Sequence, residues 1–189
     1  VLIFGAAFNG VIQLACPYFP YYFTKELGIP MSAVAIWSMI SNFGCLLTVG
    51  MWGRYMDKCG SPIHILRLSC YFVCLSPLPY LFRSPDIIKW IAPFEFFTNG
   101  VTWAGLYVAM TALVFQAAPE GKNVSYFSVY AAVCGVTCAL FTLLGGRMVD
   151  WLSPFGGFRA LWVIGAGLRF AVLITVGRLV FRPSALTRR

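Results

Sequence analysis

Six separate runs of this chain are each about twenty residues long and nearly free of charge. An α-helix of that length, rising about 1.5 Å per residue, crosses the roughly 30 Å hydrocarbon layer of a bilayer. The runs are Val1–Phe23, Met31–Trp52, Ile63–Phe82, Trp90–Phe115, Tyr126–Gly146 and Ala160–Phe181. They are continuously apolar rather than alternating, which predicts helices and not barrel strands, because a lone helix satisfies its own backbone in lipid. Between them stand "TKELGIP", "GRYMDKCGSP", "RSPD", "APEGKN" and "DWLSPFGG", rich in the Gly, Pro and charge that chain turning in water uses.

Composition agrees. Of 189 residues, 60% are apolar and 11% charged, and the mean hydropathy is +0.80. A soluble domain of this size could not hide so much apolar surface. The fold class expected is therefore all-α and integral to the membrane, a six-transmembrane-helix bundle forming a single domain over residues 1–189. The first run is too long, and too polar at Asn9 and Gln13, for the apolar core of a cleaved signal peptide, so it is read as a retained helix.

A net charge of +8 raises nucleic acid as a partner, but the basic residues form no stripe and are read instead as orientation signals. With the start of the chain in the cytoplasm, that side holds Arg54, Lys58, Arg67, Lys122, Arg178, Arg182, Arg188 and Arg189, against Lys25, Arg83, Lys89, Arg147 and Arg159 opposite. Both ends of the chain, including a short basic tail at 182–189, are thus expected in the cytoplasm, and the membrane is expected to be the cell membrane. Val1 in place of Met leaves room for a preceding segment.

Catalytic chemistry finds little support. The one histidine, His64, sits at a loop, and neither His-x-x-x-His, Gly-x-Ser-x-Gly nor paired aspartates occur. Cys70/Cys74 and Cys134/Cys138 lie one helical turn apart, without His or carboxylate companions, and read as small apolar residues. No enzyme activity, cofactor or metal is expected.

An internal echo organises the chain. Gly53-Arg54-x-x-Asp57 after the second run is answered by Gly146-Arg147-x-x-Asp150 after the fifth, each shortly before Ser-Pro. Three helices followed by three place the second triplet upside down relative to the first, so the reading is two inverted repeats, about 1–82 and about 88–182. Many secondary transporters are built this way, with the substrate near the midplane.

Gly53-x-x-x-Asp57-Lys58-x-Gly60, between the second and third helices of a six-helix unit, resembles the loop of the major facilitator superfamily that follows its second and eighth helices. Pro62 and Ile63 stand where that loop carries its trailing basic pair. "TNGVTWAGLYVAMTALVFQAAPEGKNVSYFSVYAAVCG" is similar to the family's tenth-to-eleventh helix passage, and "FRALWVIGAGLRF" to its last helix. The resemblance implies the C-terminal half of a twelve-helix secondary transporter that moves a small solute by alternating access. Its partners would then be that solute, the lipid bilayer and an N-terminal six-helix half. It also implies a cytoplasmic gate loop of Gly53, Arg54, Asp57, Lys58 and Gly60, in which Asp57 latches onto a neighbouring helix start or a cation of the facing bundle. Gly146, Arg147 and Asp150 would be its repeat equivalent. The alternatives are a solvated loop that only fixes orientation and, for the whole chain, a non-transporting scaffold or a subunit of a paired assembly.

Polar residues inside the runs are the candidate site, since a charge there costs about 2.5–3.5 kcal/mol on insertion scales. Glu95, Asn99 and Thr102 follow at i, i+4 and i+7 on one expected helical face, next to Pro93, Gly100 and Gly105. Glu95 would take a cationic group or a coupling proton and Asn99 would orient the substrate. The competing reading pairs Glu95 with Lys89 near the interface. Asn9 and Gln13 form a second polar pair, expected either to line the cavity or to bond across helices. Tyr18, Tyr21 and Tyr22 read as an interfacial belt, with closure of the cavity's outer end as the alternative. Ser38, Ser41 and Asn42 read as packing residues, and Arg169 as half of a structural pair whose partner could lie on the other six-helix half.

Overall fold

The structure is a computed structural model and describes residues 1–81 and 84–180. Six main helices make up the described residues, with no strand among them. They are α1 (Leu2–Gln13), α2 (Met31–Cys59), α3 (Pro62–Leu75), α4 (Pro85–Ala117), α5 (Asn123–Trp151) and α6 (Phe158–Thr175). Among the described residues, five helical segments are long and apolar enough to cross a bilayer: Leu2–Glu26, Met31–Cys59, Pro85–Ala117, Asn123–Trp151 and Phe158–Thr175. The chain is an all-α membrane protein.

The expected third crossing is the exception. α3 stops after 14 residues, about 21 Å, because Pro77 and Pro79 supply no N–H to the carbonyls of Val73 and Leu75 four residues back. A 3-10 turn, Leu78–Leu81, takes over. α1 is broken the same way. Pro17 and Pro20 end it at Gln13, and 3-10, α and π turns carry the chain to Glu26. The tail at 182–189, with Phe82, Arg83 and Phe181, lies outside the described residues.

One expected loop is largely helix. α2 runs through "GRYMDKC" to Cys59, so Gly53, Arg54, Asp57 and Lys58 occupy its last two turns. The turn itself is Gly60-Ser61. Gly60 takes φ +65°, the left-handed conformation that favours glycine, and its N–H donates to the Met56 carbonyl at 2.9 Å. Ser61 then caps α3, its hydroxyl accepting from the Ile63 N–H. Gly146, Arg147 and Asp150 likewise sit on the last turns of α5.

α2 packs along α4, and α1 along α5, while α3 rests on α4 and α6 on α1. Small residues let these pairs close. A Cβ at Gly100 would collide with the Ser41 backbone carbonyl of α2, and one at Gly145 with the Leu14 carbonyl. Membrane helices, which gain little from the hydrophobic effect between themselves, associate through such approaches. Two buried clusters result. One joins Phe4, Phe8 and Ile12 to Leu66, Val73 and Leu113, and the other joins Phe23, Trp37, Tyr80 and Ile88 to Leu161 and Trp162. Most of α2 and α5 stays exposed, including Phe43, Leu46, Leu47, Val136, Leu140 and Leu143.

The tyrosines depart from the interfacial belt. Tyr22 is 2% exposed and stands edge-on to Trp162 at 4.5 Å. Tyr18 donates its hydroxyl to the Thr142 carbonyl of α5. Only Tyr21 of the three is largely exposed. The break after Gln13 turns Tyr18 and Tyr22 inward, toward α5 and α6.

Candidate functional site

Where the two clusters meet, a cavity of about 260 Å³ opens between the helices. The broken end of the first segment contributes Cys16, Phe19, Pro20 and Phe23, and α2 contributes Val34 and Ser38. Val73, Ser76 and Tyr80 come from α3 and the turn after it, Glu95, Phe96, Asn99 and Trp103 from α4, and Arg169 from α6. Glu95 is ten residues from the start of α4 and Arg169 eleven from the start of α6, about 15 Å and 16 Å along helices that enter from the same end. Glu95 is thus about a third of the way along α4 and Arg169 rather more than halfway along α6, both well inside the bundle.

Glu95 is 9% exposed and accepts a hydrogen bond from the Tyr80 hydroxyl. Sequence reasoning missed Tyr80. The signal was present in "SPLPY": after Pro77 the chain tightens into a 3-10 turn, the Tyr80 N–H donating to the Pro77 carbonyl at 3.3 Å, and this turn carries the ring inward. The reading that paired Glu95 with Lys89 fails on geometry. Six residues along a helix is about 240° of rotation, and Lys89 lies instead 3.5 Å from Asp86 on the exposed face.

Asn99 lines the cavity beside Glu95, but Thr102 does not. At about 100° per residue, Asn99, Trp103 and Phe96 lie about 40°, 80° and 100° to one side of Glu95, whereas Thr102 and Thr98 lie about 20° and 60° to the other. The cavity occupies the first side. Thr102 faces a different hollow, toward α2 and α3, and donates to the Thr98 carbonyl at 2.8 Å.

Asn9 and Gln13 are half-buried and stand outside the lining. Asn9 donates to the Gly5 carbonyl at 2.8 Å and neighbours Tyr130 of α5. That bond stays within α1. Arg54, Asp57 and Lys58 are exposed at the far end of α2, as are Arg147 and Asp150 at the end of α5, so neither echoed motif reaches the cavity.

Arg169 is fully buried, and its partners belong to this chain. Nη1 donates to the Val73 carbonyl at 2.9 Å, while Nη2 reaches the Ile12 carbonyl at 3.3 Å and the Cys16 sulfur at 3.6 Å. Val73 and Ile12 lie in the last turns of α3 and α1, which both break here. A helix C-terminus carries roughly half a negative charge, so two of them together offset about the one positive charge of the guanidinium. Ser38, expected to be a packing residue, bonds the Val34 carbonyl at 2.9 Å and lines the cavity.

The chain matches no family model and no curated protein.

The arrangement is a small aromatic-walled chamber with one carboxylate, one carboxamide, hydroxyls and a guanidinium held by helix-end carbonyls. It suits the holding of a small polar or cationic solute or of a proton.

Proposed function

We propose that the chain is a six-helix half of a secondary transporter of the major facilitator type, moving a small solute by alternating access. Glu95 and Asn99 hold the solute, or Glu95 a coupling proton. The observation that carries this reading is the cavity inside the bundle, in which a buried carboxylate faces the broken ends of two helices. Interrupted helices at membrane depth are tolerated only where protein or a cavity satisfies their backbone, and transporters place their sites at such breaks.

Packing supports the inverted repeat behind this proposal. Gly5 and Gly10 of α1 lie against Tyr130 and Phe141 of α5, while Gly100 and Gly105 of α4 lie against Ser41 and Trp52 of α2. The glycines are five apart in both helices (10 − 5 and 105 − 100), and the partners named are eleven apart in both (141 − 130 and 52 − 41), while Thr137 stands nearer to Gly10 and Ser69 of α3 nearer to Gly105. The likeness lies in which helices pair, the first of each triplet on the second of the other. The register differs by one turn from the Gly53/Gly146 echo, since 130 − 41 is 89 whereas 146 − 53 is 93.

The exposed faces of α2 and α5 favour a partner. Asn42 is exposed on α2, and a carboxamide facing hydrocarbon is costly. On this reading both helices seat on a second six-helix half, with the chain's ends in the cytoplasm and the tips of α2 bearing Arg54, Asp57 and Lys58 as the gate. The second reading, a subunit of a paired assembly without transport, shares that surface.

Vesicles from cells producing the full-length protein separate the two. Under the transporter reading at least one of a panel of amino acids, sugars, organic cations and short peptides drives a flux that Glu95→Gln removes. A flux untouched by Glu95→Gln, Asn99→Ala and Trp103→Ala would take the site away from this cavity.

A further inference from the structure

The hydrogen bonds around the Glu95 cavity leave its wall lopsided. Each of the hydroxyls that line it spends its only hydrogen on the protein. Ser38 donates to the Val34 carbonyl at 2.9 Å, Ser76 to the Val73 carbonyl at 3.1 Å, and Tyr80 to the Glu95 carboxylate. Toward an entering molecule these oxygens can only accept. An ionised Glu95 likewise only accepts, and with one bond taken from Tyr80 it keeps lone pairs for others. Asn99 adds a carbonyl oxygen one turn further along α4. The donors beside them are the neutral Asn99 amide and Trp103 indole.

Charge points the same way. Arg169 is the cation of the wall, but it is 0% exposed, and its two amino groups are turned to the Val73 and Ile12 carbonyls and the Cys16 sulfur. Glu95 retains 9% exposure, Asn99, Ser76 and Trp103 are half-buried, and Ser38 is exposed. The chamber therefore shows a solute a carboxylate and lone pairs, with the guanidinium sealed behind them. Phe19, Phe23, Phe96 and Trp103 supply ring surface, which packs on another ring and also attracts a cation. Glu95, Asn99 and Trp103 stand at successive turns of α4, about 6 Å apart along its axis. The carboxylate thus lies toward one end of the row and the indole toward the other.

Resting on the reading of this cavity as the solute site, we infer that its substrate class is a primary arylalkylammonium ion, with the ammonium on Glu95 and the ring toward Trp103. A primary ammonium brings three N–H donors and no acceptor, the complement of an accepting wall. A quaternary ammonium brings none. An organic anion would face Glu95, and the carboxylate of a zwitterionic amino acid would find no cation open to it. Size agrees, since an apolar cavity of about 150 Å³ accommodates benzene and the 260 Å³ here leaves room for a short aminoalkyl arm.

The test measures saturable binding of tritiated phenethylamine to de-energised membrane vesicles containing the full-length protein, displaced by molecules of matched shape. Phenethylamine and tyramine are expected to displace the label. Phenethyl alcohol, phenylpropionate, phenylalanine and trimethyl(phenethyl)ammonium should each be weaker by about tenfold or more, the scale of losing a hydrogen bond to a charged group. Glu95→Gln should abolish saturable binding, and Trp103→Leu should weaken it about three- to tenfold, the scale of an aromatic pair. The ligand series needs no variant, so it decides the matter even where a substitution impairs folding. Equal displacement by phenethyl alcohol, by phenylalanine or by the trimethyl compound would overturn the assignment, as would undiminished binding to Glu95→Gln. Saturable amine binding without uptake would count against transport and leave the class standing. Uptake of a sugar or an amino acid with which amines do not compete would overturn the class and leave transport standing.

Discussion

Arg169 donates to the carbonyl of Val73 at 2.9 Å, the one carbonyl that Pro77 leaves without its helical donor. The residue four positions on from Val73 is Pro77, which has no N–H. Ser76 shares the duty, its hydroxyl donating to the same carbonyl at 3.1 Å. A cation on the last helix thus completes a break in the third, and its other amino group reaches the end of the first at the Ile12 carbonyl, which also accepts from the Ala15 N–H at 3.3 Å.

Arg169→Met is expected to destabilise the bundle by about 2–3 kcal/mol, the scale of a hydrogen bond to a charged group. Pro77→Ala restores a donor for Val73, so the loss on removing Arg169 should be smaller in that background. A double-mutant cycle read by thermal unfolding in detergent checks this, with a coupling of about 1 kcal/mol expected.

The Tyr80–Glu95 pair gives a second test. Glu95→Gln keeps an acceptor for the Tyr80 hydroxyl, so folding is expected to be retained while coupled uptake falls to background. Tyr80→Phe keeps the ring packing against Phe19 and Phe23 but strips a buried carboxyl of its donor, costing about 1–3 kcal/mol. Unfolding midpoints alongside vesicle uptake distinguish the two variants.

Glycines divide sharply by surroundings. Gly100→Ala and Gly145→Ala place a methyl against the backbone of a neighbouring helix and should lower stability by about 1–3 kcal/mol, as overpacking does. A Cβ at Gly50 or Gly135 meets only open space, so alanine there should be neutral or stabilising, by up to about 1 kcal/mol of helix propensity. Melting curves of the four single variants check the contrast.

The pattern of apolar runs made the helices legible, because length and charge depletion are local properties of the sequence. Met31 began its helix as read, and Glu95 with Asn99 came together because i and i+4 share a face. Thr102 failed since a 60° arc decides which of two hollows a residue faces, and neighbouring helices draw that arc. The "GRYMDKC" stretch read as loop from its charges, yet Gly53 has no reason to end a helix whose neighbours are good helix formers; of the two glycines flanking "RYMDKC", Gly60 alone has a positive φ. The third crossing was overestimated because hydropathy ignores the carbonyls that Pro77 and Pro79 release. Arg169 was opaque because its partner Val73 is 96 residues away, beyond any spacing rule, whereas "SPLPY" signalled the turn that carries Tyr80 but not the Glu95 partner 15 residues on.

Alternating exposure of the cavity inside the bundle is the centre of the account, and Ser38, which lines that cavity and is itself exposed, reports it most directly. With the seven native cysteines replaced and Ser38→Cys introduced in the full-length protein, a membrane-impermeant thiol reagent is applied to right-side-out and to inverted vesicles. Labelling from both faces, with the ratio shifting as solute is added, is the expected result. Labelling from one face alone under every condition would contradict it.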